Sequence, residues 1–478
     1  MSRLSRATLS QLPEGFAHPD RGEIGIGIVH FGPGAFHRAH QADYIDRLLD
    51  RDPRWGIAAV SMRSRGTVEA LAEQDGLYTL AIRDAEPSYR VIDAHRAFLA
   101  PDEAERVLAL LATPTTRLVT STVTEKGYCL APDGTLDVSH PDIVHDLSGT
   151  WPPRSVVGWI VAGLAQRREQ GVAPFVVMPC DNLADNGVKL LRALVTFAGA
   201  RHGRDLADWI AGEARVPSTM VDSITPAGDA ALDADVHAAL GLEDRAAVQR
   251  EAFAQWVIED VGQFAGGDGP DLAAVGAIVT GDVSGYERAK LRILNGAHST
   301  LAYAGLLRGH TSVAEAMNDA GLAGFVDALI ADDVQPMLPP VAGLDLDGYR
   351  RAVLDRFRNP AIVHRLEQIA QDGSQKLPYR LGDTLLANRR AGRFPEHVVA
   401  AYGAWIAFLI RRSRNGVPIV DPAANALVAA AYDGTPLEVT DRLVIRALGI
   451  PFELSDDRLV IEAMAGVAAA ALENAPPG

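Results

Sequence analysis

The stretch Ile24-Gly-Ile-Gly-Ile-Val-His-Phe31-Gly32-Pro-Gly34-Ala-Phe-His37-Arg-Ala-His40 decides the fold. Ile24–Phe31 is an apolar, β-branched run that reads as a buried strand, and Ala42–Leu49 behind it has helical spacing. A strand that passes through Gly-x-Gly into a helix is the opening of a dinucleotide-binding fold. There the first glycine permits the tight turn, and the second lets the backbone approach a pyrophosphate at the helix N-terminus. The third glycine of the usual pattern is replaced by His37. Taken alone, the turn therefore also fits a plain β-to-α connection.

Working outward, strand and helix patterns alternate. Gly56–Met62, Leu118–Thr124 and Pro174–Met178 read as further strands, and Val156–Glu169 reads as a helix. Strands alternating with helices imply βαβ units around a parallel sheet covered on both faces. From about residue 285 the texture changes. Helical patterns dominate: Tyr286–Leu307, Thr311–Asn318, Leu322–Ala331, Leu346–Phe357, Ile362–Gln371, Pro395–Arg412 and Asp441–Gly449. The expected fold class is α/β, with a Rossmann-like domain and mostly parallel sheet over residues 1–280, then a mostly α-helical domain over 281–478.

Composition narrows the function classes. The 478 residues suffice for about three ordinary domains or two large ones at ~150 residues each. The net charge of −16 argues against a dedicated nucleic-acid binder and against an anionic membrane surface as partner. Two cysteines, Cys129 and Cys180, exclude a disulfide scaffold and a four-cysteine zinc site. No signal-peptide pattern precedes the first strand, and no run approaches the ~20 apolar residues of a membrane span. Ala463–Leu472 is a short, alanine-rich helical run, and Ala475–Gly478 reads as a frayed tail. A cytoplasmic protein acting on small molecules is expected, and a monomer is compatible with two domains covering each other.

An acid that reads the coenzyme ribose belongs at the end of the second strand. Ser61-Met-Arg63-Ser-Arg65-Gly66 stands there instead. Arg63 or Arg65 could take a 2′-phosphate and favour NADP, or both could be solvated loop arginines.

The second informative stretch is Tyr286-Glu287-Arg-Ala-Lys290-Leu-Arg292-Ile-Leu-Asn295-Gly-Ala-His298-Ser299. On an ideal α-helix with Lys290 at the origin, Glu287 falls near ~60°, His298 near ~80° and Asn295 near ~140°. The polar groups share one side with Leu291 and Leu294, as in a partly desolvated site. Removing a hydride from a secondary alcohol needs a base for the hydroxyl proton and donors for the developing oxyanion. A lysine can be that base where burial or neighbouring cations lower its pKa, and Arg288, Arg292 and the apolar neighbours offer both. By spacing alone, Lys290 reads as a surface lysine and His298 as a satisfied core histidine.

The motif Lys290-x-x-x-x-Asn295-x-x-His298 resembles that of the polyol-specific long-chain dehydrogenase/reductase family, which includes the mannitol 2-dehydrogenases and the fructuronate reductases (mannonate oxidoreductases). Collinear matches are Gly32-x-Gly34-Ala-Phe-His-Arg-Ala-His-Gln41, Thr124-Glu-Lys-Gly-Tyr128, Cys180-Asp-Asn-Leu-x-x-Asn186-Gly187, Met220-Val-Asp222-x-Ile-Thr-Pro226, Trp256-Val-Ile-Glu-Asp260 and Asp372-Gly-Ser-Gln-Lys376-Leu-Pro378. The resemblance implies metal-independent hydride transfer between NAD, or NADP, and a secondary alcohol of an acyclic polyol of the mannitol/fructose type. Alternatives are the mannonate/fructuronate reaction and a non-catalytic nicotinamide-binding sensor.

Carried over, Lys290 is the general base, Asn186 and Asn295 stabilise the oxyanion, His298 positions the substrate hydroxyl, and Glu287 belongs to the proton path. Asp222 and Lys376 match substrate positions. Phe31, Gly32, Gly34, Ala35 and Phe36 fall at the coenzyme turn, with Arg63, Thr124 and Glu125 as further coenzyme contacts. Two departures stand out. No acidic pair follows the second strand, and Gln368 occupies a position where mannitol dehydrogenases often carry arginine. The run Gln368–Pro378, with Glu125-Lys126-Gly127, looks closer to the fructuronate reductase branch. That branch must hold a carboxylate, for which Lys126, Arg292 and Arg380 are candidates.

Overall fold

The computed structural model describes residues 2–16, 21–264 and 268–474. The expected frayed tail, Ala475–Gly478, lies outside the described residues. The chain divides into two compact units, Met1–Ser284 and Gly285–Gly478.

The first unit contains eleven strands among its described residues: β1 (Ile26–Phe31), β2 (Gly56–Val60), β3 (Tyr78–Arg83), β4 (Ser88–Ile92), β5 (His95–Leu99), β6 (Leu118–Ser121), β7 (Val176–Pro179), β8 (Thr219–Asp222), β9 (Val248–Glu251), β10 (Gln255–Glu259) and β11 (Ile278–Thr280). The main sheet is wholly parallel, in the order β5-β2-β1-β6-β7. Numbered along the sheet alone, that is 3-2-1-4-5, the Rossmann order, which reverses between β1 and β6. Two smaller three-stranded sheets, β11-β10-β8 and β4-β3-β9, complete the unit.

Alternation along β1 shows why the strand is central. Val29 and Phe31 face one apolar layer, with Val157, Ile160 and Leu194. Ile28 faces the other layer, with Ile45, Leu48 and Met178. Full burial of a side chain such as Phe31 is worth about 2–3 kcal/mol.

The second unit is helical among its described residues. At its centre, Glu396–Arg414 is apolar on nearly every face, and Val398, Val399 and every residue from Ala401 to Ile410 are buried. Its N-terminus is capped by the Asp333 carboxylate, which accepts from the His397 and Val398 amides at 2.8 Å each.

Several expectations shift. The predicted strands end earlier, at Val60 and Ser121. β3–β5 and β8–β11 escaped the pattern because they are short and mix in charged residues. Gln249, Arg250 and Glu251 of β9 are buried, and Arg250 reaches Asp43, distant in sequence, at 3.1 Å. Of Ile362–Gln371, only Leu366–Ile369 is helical. A run from Gly373 to Arg390 is helical throughout. Its Pro378 hid it from a pattern reading; Pro378 stands where the helix passes into the π-turn Pro378–Gly382.

Candidate active site

In the first unit, the turn after β1 is fixed from several sides. Gly32 has φ +88°, and a Cβ there would lie 2.3 Å from the Thr122 carbonyl oxygen. Glycine is thus required both by conformation and by the close approach of β6. The Gly32 carbonyl accepts from the Gly34 amide at 2.7 Å and from the Thr122 hydroxyl at 2.7 Å. His30 Nε2 lies 3.2 Å from the same oxygen, and its Nδ1 lies 2.6 Å from the Thr120 hydroxyl. A carbonyl can only accept, so Nε2 carries the proton and Thr120 donates to Nδ1. Burial holds the His30 pKa down at about 3, which keeps this neutral form. Sequence reading missed His30 and Thr122. Only the pairing of β1 with β6 brings them together.

Gly34 is exposed and caps the helix Ala35–Ala39 without a side-chain acceptor. A Cβ on it would meet nothing closer than the Gly32 carbonyl, at 3.9 Å. Phe31, by contrast, has its side chain buried in the core. It can offer a ligand only its backbone, which corrects the expectation that its side chain takes part in the coenzyme turn. Ala35 and Phe36 are half-buried.

Thr124, Glu125 and Lys126 form an exposed loop beyond β6. Thr124 holds φ +66° and ψ 162°, a region that is essentially glycine-only. The Asp181 carboxylate accepts from the Val123 amide at 3.0 Å, the Thr124 amide at 2.8 Å and the Tyr128 hydroxyl at 2.7 Å. Asp181 and Tyr128 are thus the groups that hold this backbone.

At the end of β2, Arg65 is tied to Asp102 at 2.5 Å. Arg63 is 79% exposed and lies 3.7 Å from Asp142. It lines, with Arg154 and Ser61, a cavity of about 530 Å³.

Asn186 departs from its expected role. It is fully buried, its Nδ2 donates to the Asp181 carbonyl (3.2 Å) and the Thr219 carbonyl (2.9 Å), and its Oδ1 accepts from the Thr219 amide (2.9 Å). Both amide hydrogens are committed to backbone, so none remains for an oxyanion. Asp222 is buried at the end of β8.

One group of metal-ligand residue types comes together among the described residues: Cys129, His140 and Asp142. Spacing had suggested no such cluster. His140 Nδ1 already accepts from the Asp142 amide at 3.2 Å, and burial with nearby carboxylates pushes the Cys129 thiol up to about 11.

In the second unit, Glu287 lies on the helix Val283–Ala289 and Lys290 begins a π-helical turn, Lys290–Asn295, that runs into the α-helix Gly296–Leu307. This corrects the ideal-wheel placement. A π-turn closes i→i+5 bonds and rotates less per residue. Asn295, five residues on, is brought back toward the Lys290 side from where an α-helix would put it. π-Turns of this kind occur frequently at functional sites.

Lys290 and Asn295 are half-buried. Among the described residues the Asn295 side chain makes no hydrogen bond. The His298 ring stacks on Phe357 at 4.3 Å, and its Nε2 is buried with no partner. Burial, followed by nearby His364, Arg356 and Arg380, drives its pKa well below the ordinary value, so the ring is neutral. A second π-turn, Pro378–Gly382, packs against the first. Arg292 lies 3.7 Å from Asp383, and Lys376 Nζ is 3.3 Å from Asp372 and donates to the Gln371 carbonyl at 2.8 Å.

A Rossmann sheet with a glycine turn at its reversal point, followed by a helical unit carrying a lysine, an amide and a neutral histidine on one helix, defines a dehydrogenase of the dinucleotide-binding class. Comparison with known proteins makes this specific. Residues 26–268 match the mannitol dehydrogenase Rossmann domain, and 282–465 match the mannitol dehydrogenase C-terminal domain. The chain is 39% identical over 437 residues to D-mannonate oxidoreductase of Escherichia coli K12, covering 89% of each. Mannitol 2-dehydrogenase of Pseudomonas fluorescens, solved with NAD and D-mannitol, superposes with a TM-score of 0.79 at 35% identity, over 99% of this chain and 97% of that one. A substrate-free D-sorbitol dehydrogenase superposes with a TM-score of 0.89 at 32% identity, over 98% and 97%. The chain belongs to the mannitol dehydrogenase family.

Proposed function

We propose that the protein oxidises a secondary alcohol of an acyclic polyol with NAD, and runs the reverse reduction, with Lys290 as general base. The observation that carries this reading is the π-turn that brings Lys290 and Asn295 toward one side of a helix, one turn before a neutral His298 whose buried Nε2 has no hydrogen-bond partner. The glycine turn fits the coenzyme: a Cβ would collide at Gly32, while open space lies over exposed backbone at Gly34. Gly32, Gly34, Ala35 and Phe36 would hold its diphosphate side, and Thr124 and Glu125 lie on the next loop of the sheet. When bound, NAD supplies the hydride acceptor.

The protein's own groups handle the proton and the oxygen. Lys290 Nζ takes the hydroxyl proton, and Glu287, three residues earlier, passes it toward solvent. The Asn295 amide donates to the oxygen as charge develops on it, and neutral His298 orients the same hydroxyl through its buried nitrogen. Asp222 and Lys376 bind the remaining hydroxyls. No step calls on a metal. The protein works in the cytoplasm as a monomer, and size-exclusion chromatography with light scattering checks that state. Among the described residues, no helix is long and apolar enough to cross a membrane.

The test is Lys290→Ala. We expect kcat to fall by about 10³-fold, with NAD affinity by fluorescence titration unchanged. Near-wild-type turnover would remove the mechanism. Initial rates with NAD and NADP in the same assay decide whether Arg63 reads a phosphate.

A further inference from the structure

Among the described residues of the second unit, Arg380 is the candidate carboxylate-binding cation that forms no ion pair; the nearby Asp372 carboxylate pairs with Lys376 and acts on Arg380 only from beyond ion-pair distance. It lies on the π-turn Pro378–Gly382, which packs on the Lys290–Asn295 turn. The approach is close: a Cβ at Gly296 would sit 3.1 Å from the Arg380 carbonyl oxygen. Its Nη1 donates to the Ser299 hydroxyl at 3.0 Å, so the guanidinium lies beside the residue that follows His298. Its Nε is buried and unpartnered.

The neighbouring cations differ. Arg292 faces Asp383 at 3.7 Å, and Lys376 faces Asp372 at 3.3 Å. Among the described residues Arg380 forms no ion pair. A guanidinium has five N–H donors in a planar fork and is effectively always charged. Holding it largely out of water with one neutral acceptor is costly unless an anion completes the pairing. The match for such a fork is a carboxylate. His298, with its own buried donor-acceptor atom open, stands one residue from Ser299, so the anion and the reacting alcohol would belong to one small molecule.

We propose that Arg380 anchors a carboxylate of the substrate, so that among acyclic polyhydroxy substrates a sugar acid is preferred over the matching neutral polyol. This rests on the reading that the same site oxidises acyclic secondary alcohols. D-mannonate and D-mannitol form the matched probe pair, because they differ only in carrying a carboxylate or a hydroxymethyl group at C1.

In the wild-type enzyme with NAD, kcat/KM for D-mannonate should exceed that for D-mannitol by about 100-fold, the scale of a buried charge-assisted pair. Arg380→Met should lower that ratio by about the same factor, and Arg380→Lys should recover part of it, because the charge returns without the fork. A wild-type ratio at or below one overturns the proposal. So does an Arg380→Met variant that loses both activities in proportion, which would mark a structural role.

Equilibrium binding separates this anchor from the mechanism. In Lys290→Ala with NADH bound, D-mannonate should still bind, and adding Arg380→Met should weaken it by about 100-fold. Retained, Arg380-dependent binding together with unimpaired turnover in Lys290→Ala would sink the base assignment and leave the anchor standing. Binding indifferent to Arg380 sinks the anchor.

Discussion

Two asparagines, one in each unit, look alike in sequence and sit in opposite hydrogen-bonding states. Asn186 is buried with both amide hydrogens and its oxygen bonded to backbone, and so ties the start of the helix Asn186–His202 to β8. Asn295 sits half-buried at the end of a π-turn with its amide uncommitted. The same contrast separates His30, locked between Thr120 and the Gly32 carbonyl, from His298, whose Nε2 is buried and unpartnered. A satisfied buried polar group is scaffold. An unsatisfied one carries a desolvation cost that a ligand or an ordered water can remove. The residue type does not distinguish the two cases, but the hydrogen-bond inventory does.

The sharpest way to break the comparison is to cut both amides. Asn295→Ala should lower kcat by about 10²-fold or more, as for loss of one oxyanion donor, and leave thermal stability nearly unchanged. Asn186→Ala should do the reverse in kind. It orphans the buried Thr219 amide and carbonyl, at about 1–3 kcal/mol for each unsatisfied group, so the melting temperature should fall by several degrees. Equal loss of stability in both variants would erase the distinction.

The histidines extend it to pH. His30 and His95 are held at about 3 and His40 at about 4, each mainly by burial. The folded values lie below the ordinary ~6.5, so the unfolded chain binds more protons as the pH drops. Stability from these neutral rings is therefore present above ~6.5 and is lost progressively between there and the folded values, at about 1.4 kcal/mol per pH unit for each. Denaturant midpoints measured from pH 7 to pH 4 should fall steadily, and His30→Gln should flatten the slope by one proton. An unchanged slope would mean that His30 titrates normally.

The smallest effect concerns the loop held by Asp181. Thr124 occupies a glycine-like conformation, worth about 1–3 kcal/mol of strain. Thr124→Gly should leave the melting temperature equal or slightly raised, because relief of strain offsets glycine's extra freedom when unfolded, while the KM for NAD rises a few-fold. A drop of several degrees would show that Thr124 is unstrained.

Much of this protein follows from local sequence. The apolar run through Phe31, the Gly32-Pro-Gly34 turn and the switch from alternating to helical texture determined an α/β unit followed by a helical one, because strand and helix periods depend on near neighbours. Lys290, Asn295 and His298 were marked as a candidate site by the resemblance to a family motif, since spacing alone reads Lys290 as a surface lysine and His298 as a core histidine.

Other features depended on partners distant in the chain. The polar strand β9 exists because Arg250 meets Asp43. His30 is fixed by Thr120 of β6 and Thr122 just beyond it, about ninety positions away. Asn186 became scaffold because Thr219 lies against it. The π-turn that reorients Asn295, and the second turn that places an unpaired Arg380 beside Ser299, are decided by helix against helix. Whether a polar side chain is satisfied depends on what packs over it, and that is set only when the tertiary structure closes.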